Sequence, residues 1–524
     1  MIADLMEATR PGWAELIRLE SAAEEDTGSA IESVETIRNR RRLIALQERT
    51  HGAWTRSLFD WDWQQGMVER LESTIRGWQR LSAEPRIDPV LACWSEGRLR
   101  LSMGEEPAAA EILAQFPHWT RLSVVSQARF DVERFLRHCP ANRLTRLDLS
   151  GLEIEGGSIR GMAASGLLGH LRSLDLSRCP TVGDRAARDL AEVGSPSLEE
   201  LDLSASNLTR AGLTALLHSS GFPNLKVLKV DLFEQEKANH DRGHDLRRAI
   251  EHSPLWRTLE ALDLNGIHLQ PHEWEALADL PEWRRLRRVG LARAFPGPHL
   301  ISKLASSSTL ESLDLAGNHL HGGSFLEWTA AGRPPRLTAL RLDDNPIADK
   351  AMISLAKTGW FSGLKQLEIR SIEIGKPGLT RLAEAVANHR VERFAAGGNF
   401  LGDVSLPALL EALGPVDELD LGGTSVDEPI ARTLKERIPP TVRHLTLGPV
   451  ALGLELSHTW KEPGRLEHLD VLGVLRAQSA MAADRQDLTR LLDAWPAPGL
   501  TKIVDETGTI ARRRPGKPKP TSSA

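Results

Sequence analysis

Apolar residues in this chain recur in a compound rhythm. A short stretch of period two is followed by a stretch of helical spacing, and the pair repeats. The segment "LEELDLSASNLTRAGLTALL", residues 198–217, shows one copy, with leucines at its first, fourth and sixth positions and helically spaced apolar residues after Thr209. The pattern L-x-x-L-x-L starts at Trp119, Leu144, Leu171, Leu198, Leu225, Leu259, Leu286, Leu310, Leu337 and Leu364, then at Val391, Val416, Val442 and Leu466, with a degenerate echo at Leu500 and Ile503. Successive starts lie 25, 27, 27, 27, 34, 27, 24, 27, 27, 27, 25, 26 and 24 residues apart. Seven intervals of 27 identify a structural unit.

The period-two part predicts a strand whose fourth and sixth residues point into a core. Position nine is small and polar in several copies (Cys179, Ser206, Asn318, Asn345, Asn399, Thr424), as suits a side chain that satisfies backbone groups in a turn. Position eleven is apolar, as at Ile154, Leu208, Leu269, Leu320, Ile347, Ile374, Leu401 and Val426. A helix follows, with Asp184 and Asp349 standing where an N-cap would satisfy free helix amides. One strand–helix unit cannot bury its apolar face alone, whereas stacked copies can. The pattern therefore predicts an α/β right-handed solenoid, with a parallel sheet lining the concave face and helices on the convex face.

The unit resembles a leucine-rich repeat, and its 27-residue period with a full helix resembles the ribonuclease-inhibitor-type subclass. The resemblance covers roughly residues 110–505. It implies a binding scaffold that contacts a protein partner through the concave sheet. The expected organisation is a Trp-rich, mainly helical domain at 1–100, a solenoid of about 14–15 units at 101–505 and a basic, Pro-rich disordered tail at 506–524.

The first segment holds six of the 14 tryptophans (Trp13, Trp54, Trp61, Trp63, Trp78, Trp94). Three runs, "ADLMEATRPGWAELIRLE", "RRLIALQERTHGAW" and "QQGMVERL", resemble the bacterial repeat-companion domain that precedes leucine-rich repeats in some bacterial proteins. The matching residues are Ala3, Asp4, Ala14, Glu15, Ile17, Arg18 and Leu19, then His51, Gly52 and Trp54, then Gly66, Val68 and Glu69. Leu5 stands where that family has Trp, and the family's segment before this point is missing, so the chain is expected to start inside the domain. The family implies no activity. A domain placed here would also shield the apolar end of the array.

Composition narrows the function classes. A formal charge of −6 and pI near 6.3 provide no global attraction to nucleic acid or anionic membrane. No run of about 18 apolar residues is long enough to span a bilayer, and no secretory leader is expected. Cys93, Cys139 and Cys179 form no metal-ligand spacing, which suits small buried thiols in a reducing cytosol. No P-loop, G-x-S-x-G or H-E-x-x-H occurs, and no cofactor is called for. In the 34-residue interval, His240 and His244 lie four apart, a weak metal candidate weakened further by Gly243 between them. A metal-dependent regulator or enzyme built there is the alternative reading. RNA binding through the Arg-rich run at 38–42 and the tail is a second, though a solvated helix face explains that run. Aromatic residues three before a repeat start (Phe116, Phe222, Trp256, Trp283, Phe361) read as corner core rather than as a stacking platform.

Position five, between two inward apolar residues, faces the concave surface. It reads Ser123, Asp148, Asp175, Asp202, Lys229, Asp263, Gly290, Asp314, Arg341, Glu368, Ala395, Asp420, Thr446 and Asp470. Crowded carboxylates on adjacent strands would favour a basic protein partner and give salt-sensitive association. Asp is also habitual at this position of the repeat. Asp148, Asp175, Asp202, Asp263, Asp314, Arg341, Glu368 and Asp420 are the candidate partner-binding residues.

Overall fold

The computed structural model describes residues 59–64, 67–82 and 96–447, the last with short breaks of which 233–242, 324–331 and 423–432 are the longest, and the backbone of 468–471, 502–505 and 508–512. The chain divides into two compact units, Met1–Gly266 and Ile267–Ala524. Each is an array of strand–helix repeats with its own parallel ladder.

In the first unit the strands are β1 (Phe59–Gln64), β2 (Met67–Thr74), β3 (Glu96–Leu101), β4 (Arg121–Ser126), β5 (Arg146–Asp148), β6 (Ser173–Asp175), β7 (Glu200–Leu203), β8 (Val227–Asp231) and β9 (Ala261–Asn265). β1 and β2 form an antiparallel hairpin, and every neighbouring pair from β2 to β9 is parallel. The second unit continues the numbering with β10 (Arg288–Gly290), β11 (Ser312–Asp314), β12 (Ala339–Arg341), β13 (Gln366–Glu368), β14 (Val391–Ala395), β15 (Val416–Leu421), β16 (His444–Leu447), β17 (His468–Val471) and β18 (Lys502–Asp505), all parallel to their neighbours. β19 (Gly508–Arg512) then pairs antiparallel with β18.

Burial follows the repeat. Leu198, Leu201, Leu203 and Leu208, at positions one, four, six and eleven, each expose 0% of their surface. Each such leucine contributes about 1.5–3 kcal/mol relative to exposure. The corner aromatics Phe116, Phe222, Trp256, Trp283 and Phe361 are all buried. The Trp256 and Trp283 indoles donate to the Ile250 and Leu277 carbonyls at 2.6 and 2.8 Å, which satisfies the one polar atom each buries.

Position nine works as expected in the second unit. Asn318 Oδ1 accepts from the amides of Ala294 and Phe295 in the preceding repeat, while its amide nitrogen donates to Leu291 and Leu315 carbonyls. Asn345 does the same for Asn318 and Leu320, and Asn399 for Ile372 and Ile374. The buried turns are thereby satisfied without water.

The aspartates expected to cap their own helices do something else. Asp184, in the first turn of the helix Gly183–Val193, accepts from the Thr209 and Gly212 amides of the next repeat at 2.8 and 3.1 Å. Asp349, in the helix Ala348–Ala356, accepts from Gly375 and Gly378 at 2.9 and 2.9 Å. The unpaired amides nearest each carboxylate belong to the neighbouring turn, so the cap becomes a link between repeats. It demands glycine: a Cβ at Gly212 or Gly378 would lie 2.5 or 2.4 Å from the aspartate oxygen.

The ladder reaches into the segment expected to be a mainly helical N-terminal domain. β3 pairs with β4, and Trp78 on the helix Ile75–Ser82 packs edge-on against Phe116 and Trp119, with centroids at 5.3 and 4.8 Å. Phe116 and Trp119 stack at 4.6 Å, and the Trp119 ring occupies the space a Cβ on Gly97 would need. Most of the repeat-companion resemblance, residues 3–58, lies outside the described residues, as do residues 513–524 of the expected tail.

Candidate functional site

Position five stands where alternation put it. The residues on either side, such as Leu147 and Leu149 or Leu201 and Leu203, are buried at 0%, while Asp148, Asp175, Asp202, Asp263, Asp314, Glu368 and Asp420 are half-buried and Arg341 is exposed. These side chains project from the strand face opposite the core.

A shared geometry explains the preference for aspartate. Oδ1 of Asp148, Asp175, Asp202, Asp314 and Asp420 accepts the amide two residues on, from Ser150, Ser177, Ser204, Ala316 and Gly422, at 2.8–3.0 Å. A side chain one methylene longer would overshoot that amide, so this oxygen has a structural task in both units. The second oxygen, Oδ2, remains for the surface.

In the first unit, Asp148, Asp175 and Asp202 lie in direct register on adjacent parallel strands, spaced about 4.8 Å apart. Asp148 Oδ2 accepts from the Ser123 hydroxyl at 2.9 Å, and Asp202 Oδ2 meets Lys229 Nζ at 3.1 Å. Lys229 also lies 3.4 Å from Glu200, and Asp263 sits in register beside it. Among the described residues no cation pairs with Asp175. Burial raises its pKa, the Ser177 hydrogen bonds oppose that, and the Asp202 and Asp148 charges add to it.

The second unit treats the same position differently. Arg341 Nε lies 2.9 Å from Asp343 and its Nη1 3.3 Å from Asp314. Arg370 Nη1 contacts Asp343 and Glu368, each at 2.7 Å, and Nη2 contacts Asp420 at 2.6 Å. Arg393 meets Glu368 at 3.1 Å and Glu418 at 3.2 Å. Arg370 spans two repeats because the intervening copy carries small residues, Ala395 and Gly397, at positions five and seven. Burial pulls the Arg370 pKa down, but the Asp343 and Asp420 charges outweigh it and hold the guanidinium above its ordinary value. Asp314 is pushed up by burial against the pull of Arg341.

Position seven therefore decides what position five can do. It is Ser150, Ser177 and Ser204 in the first unit but Asp343 and Arg370 in the second. Asp343 and Arg370, both at position seven, are the site residues that reading position five alone overlooked, while Arg393 stands at outward position three. Continuing the period-two alternation by one step would have placed position seven on the same face.

His240 is outside the described residues, and His244 is on the helix Gly243–Glu251 with its side chain outside them. Among the described residues, no three His, Cys, Asp or Glu side chains cluster as metal ligands, and no helix is long and apolar enough to cross a membrane. Burial pushes the Cys139 thiol up to about 12 and the Cys179 thiol up to about 11.

Comparison with known proteins agrees with this architecture. A family model described as "Leucine Rich repeat" matches residues 170–191 and 306–323. The repeats, their parallel ladders and those matches make the fold a leucine-rich-repeat solenoid. No curated protein sequence matches the chain. Among solved structures, the Rad7–Elc1 complex of yeast is 14% identical over 91% of this chain and 98% of that one, with a TM-score of 0.45. The leucine-rich repeat-containing protein LegL7 of Legionella pneumophila is 18% identical over 48% of this chain and 83% of that one, with a TM-score of 0.32.

Proposed function

We propose that the protein is a non-enzymatic protein–protein interaction scaffold whose first unit receives a basic segment of its partner on the strand face. The observation that carries this reading is the in-register row Asp148, Asp175 and Asp202, in which Oδ1 of each carboxylate caps the backbone and no cation pairs with the central Asp175 among the described residues. Burial, with a smaller contribution from the Asp202 and Asp148 charges, raises Asp175, and a cation from a partner would offset both. In the second unit, Asp314, Arg341, Glu368 and Asp420 already bind one another through Arg370 and Asp343, so their role is to shape the face rather than to attract charge. Asp263, beside Lys229, belongs to the rim of the first unit's row.

The finer identity belongs to the same reading. The array is taken as the ribonuclease-inhibitor-type subclass on its 27-residue period, and residues 3–72 as a bacterial repeat-companion domain, in a cytoplasmic protein.

The test uses substitution to asparagine, which keeps the Oδ1 acceptor and deletes the charge. The triple variant Asp148→Asn, Asp175→Asn, Asp202→Asn and the wild type are compared for capture of partners from native cytosol and for binding of a lysine- and arginine-rich peptide. The expected result is a captured partner, lost from the variant, and peptide affinity about tenfold or more weaker, a difference of about 1.4 kcal/mol. Equal capture and equal affinity for both proteins would remove the strand face of the first unit as the binding surface.

A further inference from the structure

We infer that the turn rim of the second unit is a docking surface for an acidic, aromatic-containing peptide segment of a protein partner, centred on Phe295. Position ten of three successive repeats carries His268, Phe295 and His319. Their rings form a continuous stack, with centroids 5.5 and 5.2 Å apart and planes inclined by 21° and 16°. All three are exposed, Phe295 by 38%.

The repeat itself does not require these rings. Position ten is Pro180, Asn207 and Glu373 in other copies. The backbone argues against phenylalanine at 295, since its φ is +53°, a region that large side chains adopt at a cost and that asparagine or glycine tolerates best. Asn318 imposes that turn on Phe295 by accepting its amide at 2.7 Å. A bulky aromatic held in an unfavourable conformation and left facing water is not explained by packing. Among the described residues the two exposed phenylalanines, Phe295 and Phe400, both stand at position ten, and Phe400 is 71% exposed. Exposed aromatic surface confined to one register of one rim marks a contact surface.

The surroundings define the occupant. Arg293, His272 and His321, each within four residues of a ring of the stack in sequence, are exposed, and the Arg293 stem lies where a Cβ on Gly317 would come within 2.8 Å. His299, on the same rim, pairs with Asp279 at 3.2 Å. Across residues 268–273, 295–300 and 319–323 the one carboxylate is Glu273, buried at 1% and accepting the Gln270 amide. A flat apolar centre ringed by imidazole and guanidinium donors complements an aromatic ring flanked by carboxylates. The rim shares no residue with the carboxylate row of the first unit, so each can fail alone.

The test measures fluorescence anisotropy of labelled peptides with the full chain. The probe carries a tryptophan flanked by glutamates, and the controls carry lysines for the glutamates or alanine for the tryptophan. An oligothymidylate serves as the nucleic-acid control. The glutamate–tryptophan peptide is expected to bind best, and Phe295→Asn to weaken it about tenfold or more. Because asparagine suits the left-handed turn, that variant should keep or raise the thermal midpoint. The triple asparagine variant of the first unit should bind this peptide like the wild type. Absence of saturable binding, equal binding of the lysine peptide or tighter binding of the oligothymidylate would overturn the inference. So would a lower midpoint in Phe295→Asn, which would make the stack a structural element.

Discussion

Asp202 and Glu368 occupy the same position of the same repeat, yet their surroundings differ in kind. In the first unit the carboxylates stand in a row of three, buffered at its ends by the Ser123 hydroxyl and the Lys229 ammonium. In the second unit the equivalent groups are knotted together by Arg341 and Arg370, with Asp343 exposing only 3% of its side chain beneath them. The backbone asks the same of both units: an Oδ1 acceptor for the amide two residues on. What differs is position seven beside those carboxylates, which is Ser150, Ser177 and Ser204 along the first row and Asp343 and Arg370 beside Arg341 and Glu368. A periodic scaffold can thus keep one residue for local geometry and still vary its surface chemistry through the next outward position.

The largest expected effect tests the closed face. Arg370→Ala would strip Asp420 of its cation and leave Asp343 and Glu368 to Arg341 and Arg393 alone, with Asp343 too buried for water to compensate. Breaking a fully buried pair costs about 3–5 kcal/mol; with Arg370 23% exposed, we expect about 2–3 kcal/mol, read as a lower urea midpoint of the second unit. An unchanged midpoint would mean that the network is not what orders this face.

The two inter-repeat links serve as a matched pair. Gly212→Ala and Gly378→Ala each place a methyl group within about 2.5 Å of an aspartate oxygen that holds two amides, and each should cost about 1–3 kcal/mol. Similar losses in both arrays would show that the units share their construction and differ only at the surface. A cost confined to one would relocate the difference to the helix side.

A smaller effect separates the two faces by pH. In the folded chain the Asp175 carboxyl titrates above its ordinary value of 3.8, so the native state holds more protons than the unfolded chain just above that pH. Its contribution to stability is therefore fully present below 3.8 and declines as pH rises through the folded value. Asp175→Asn should flatten that decline and raise the midpoint near neutral pH, as thermal unfolding between pH 3 and pH 7 will tell. No difference between the variant and wild type across that range would show that neither burial nor the neighbouring carboxylates perturb Asp175. The smallest effect is expected of Lys229→Ala, which removes a surface pair at 3.1 Å and should change stability by no more than about 0.5–1 kcal/mol.

Buried thiols provide an independent view of the first unit. With Cys139 pushed up to about 12 and Cys179 up to about 11, neither should react with iodoacetamide at neutral pH in a Cys93→Ser background until the array opens. Fast native labelling would contradict the packing described for that unit.

The sequence alone determined the repeat, the alternation that buries Leu201 and Leu203 around Asp202, the asparagine turns and the corner aromatics. These follow from period and polarity, because a residue's face in a strand depends only on its place in the count. Tertiary structure decided the rest. Asp184 and Asp349 look like caps of their own helices, but the nearest unsatisfied amides belong to the next repeat, a proximity no local pattern records. The Phe295 stack joins residues about 25 apart in sequence, which meet only because successive turns are superposed. Whether a position-five carboxylate stays open or is bridged likewise depends on which long side chain from a neighbouring strand can reach it. Arg370 reaches Asp420 across 50 residues because the repeat between them bears alanine and glycine at positions five and seven, Ala395 and Gly397.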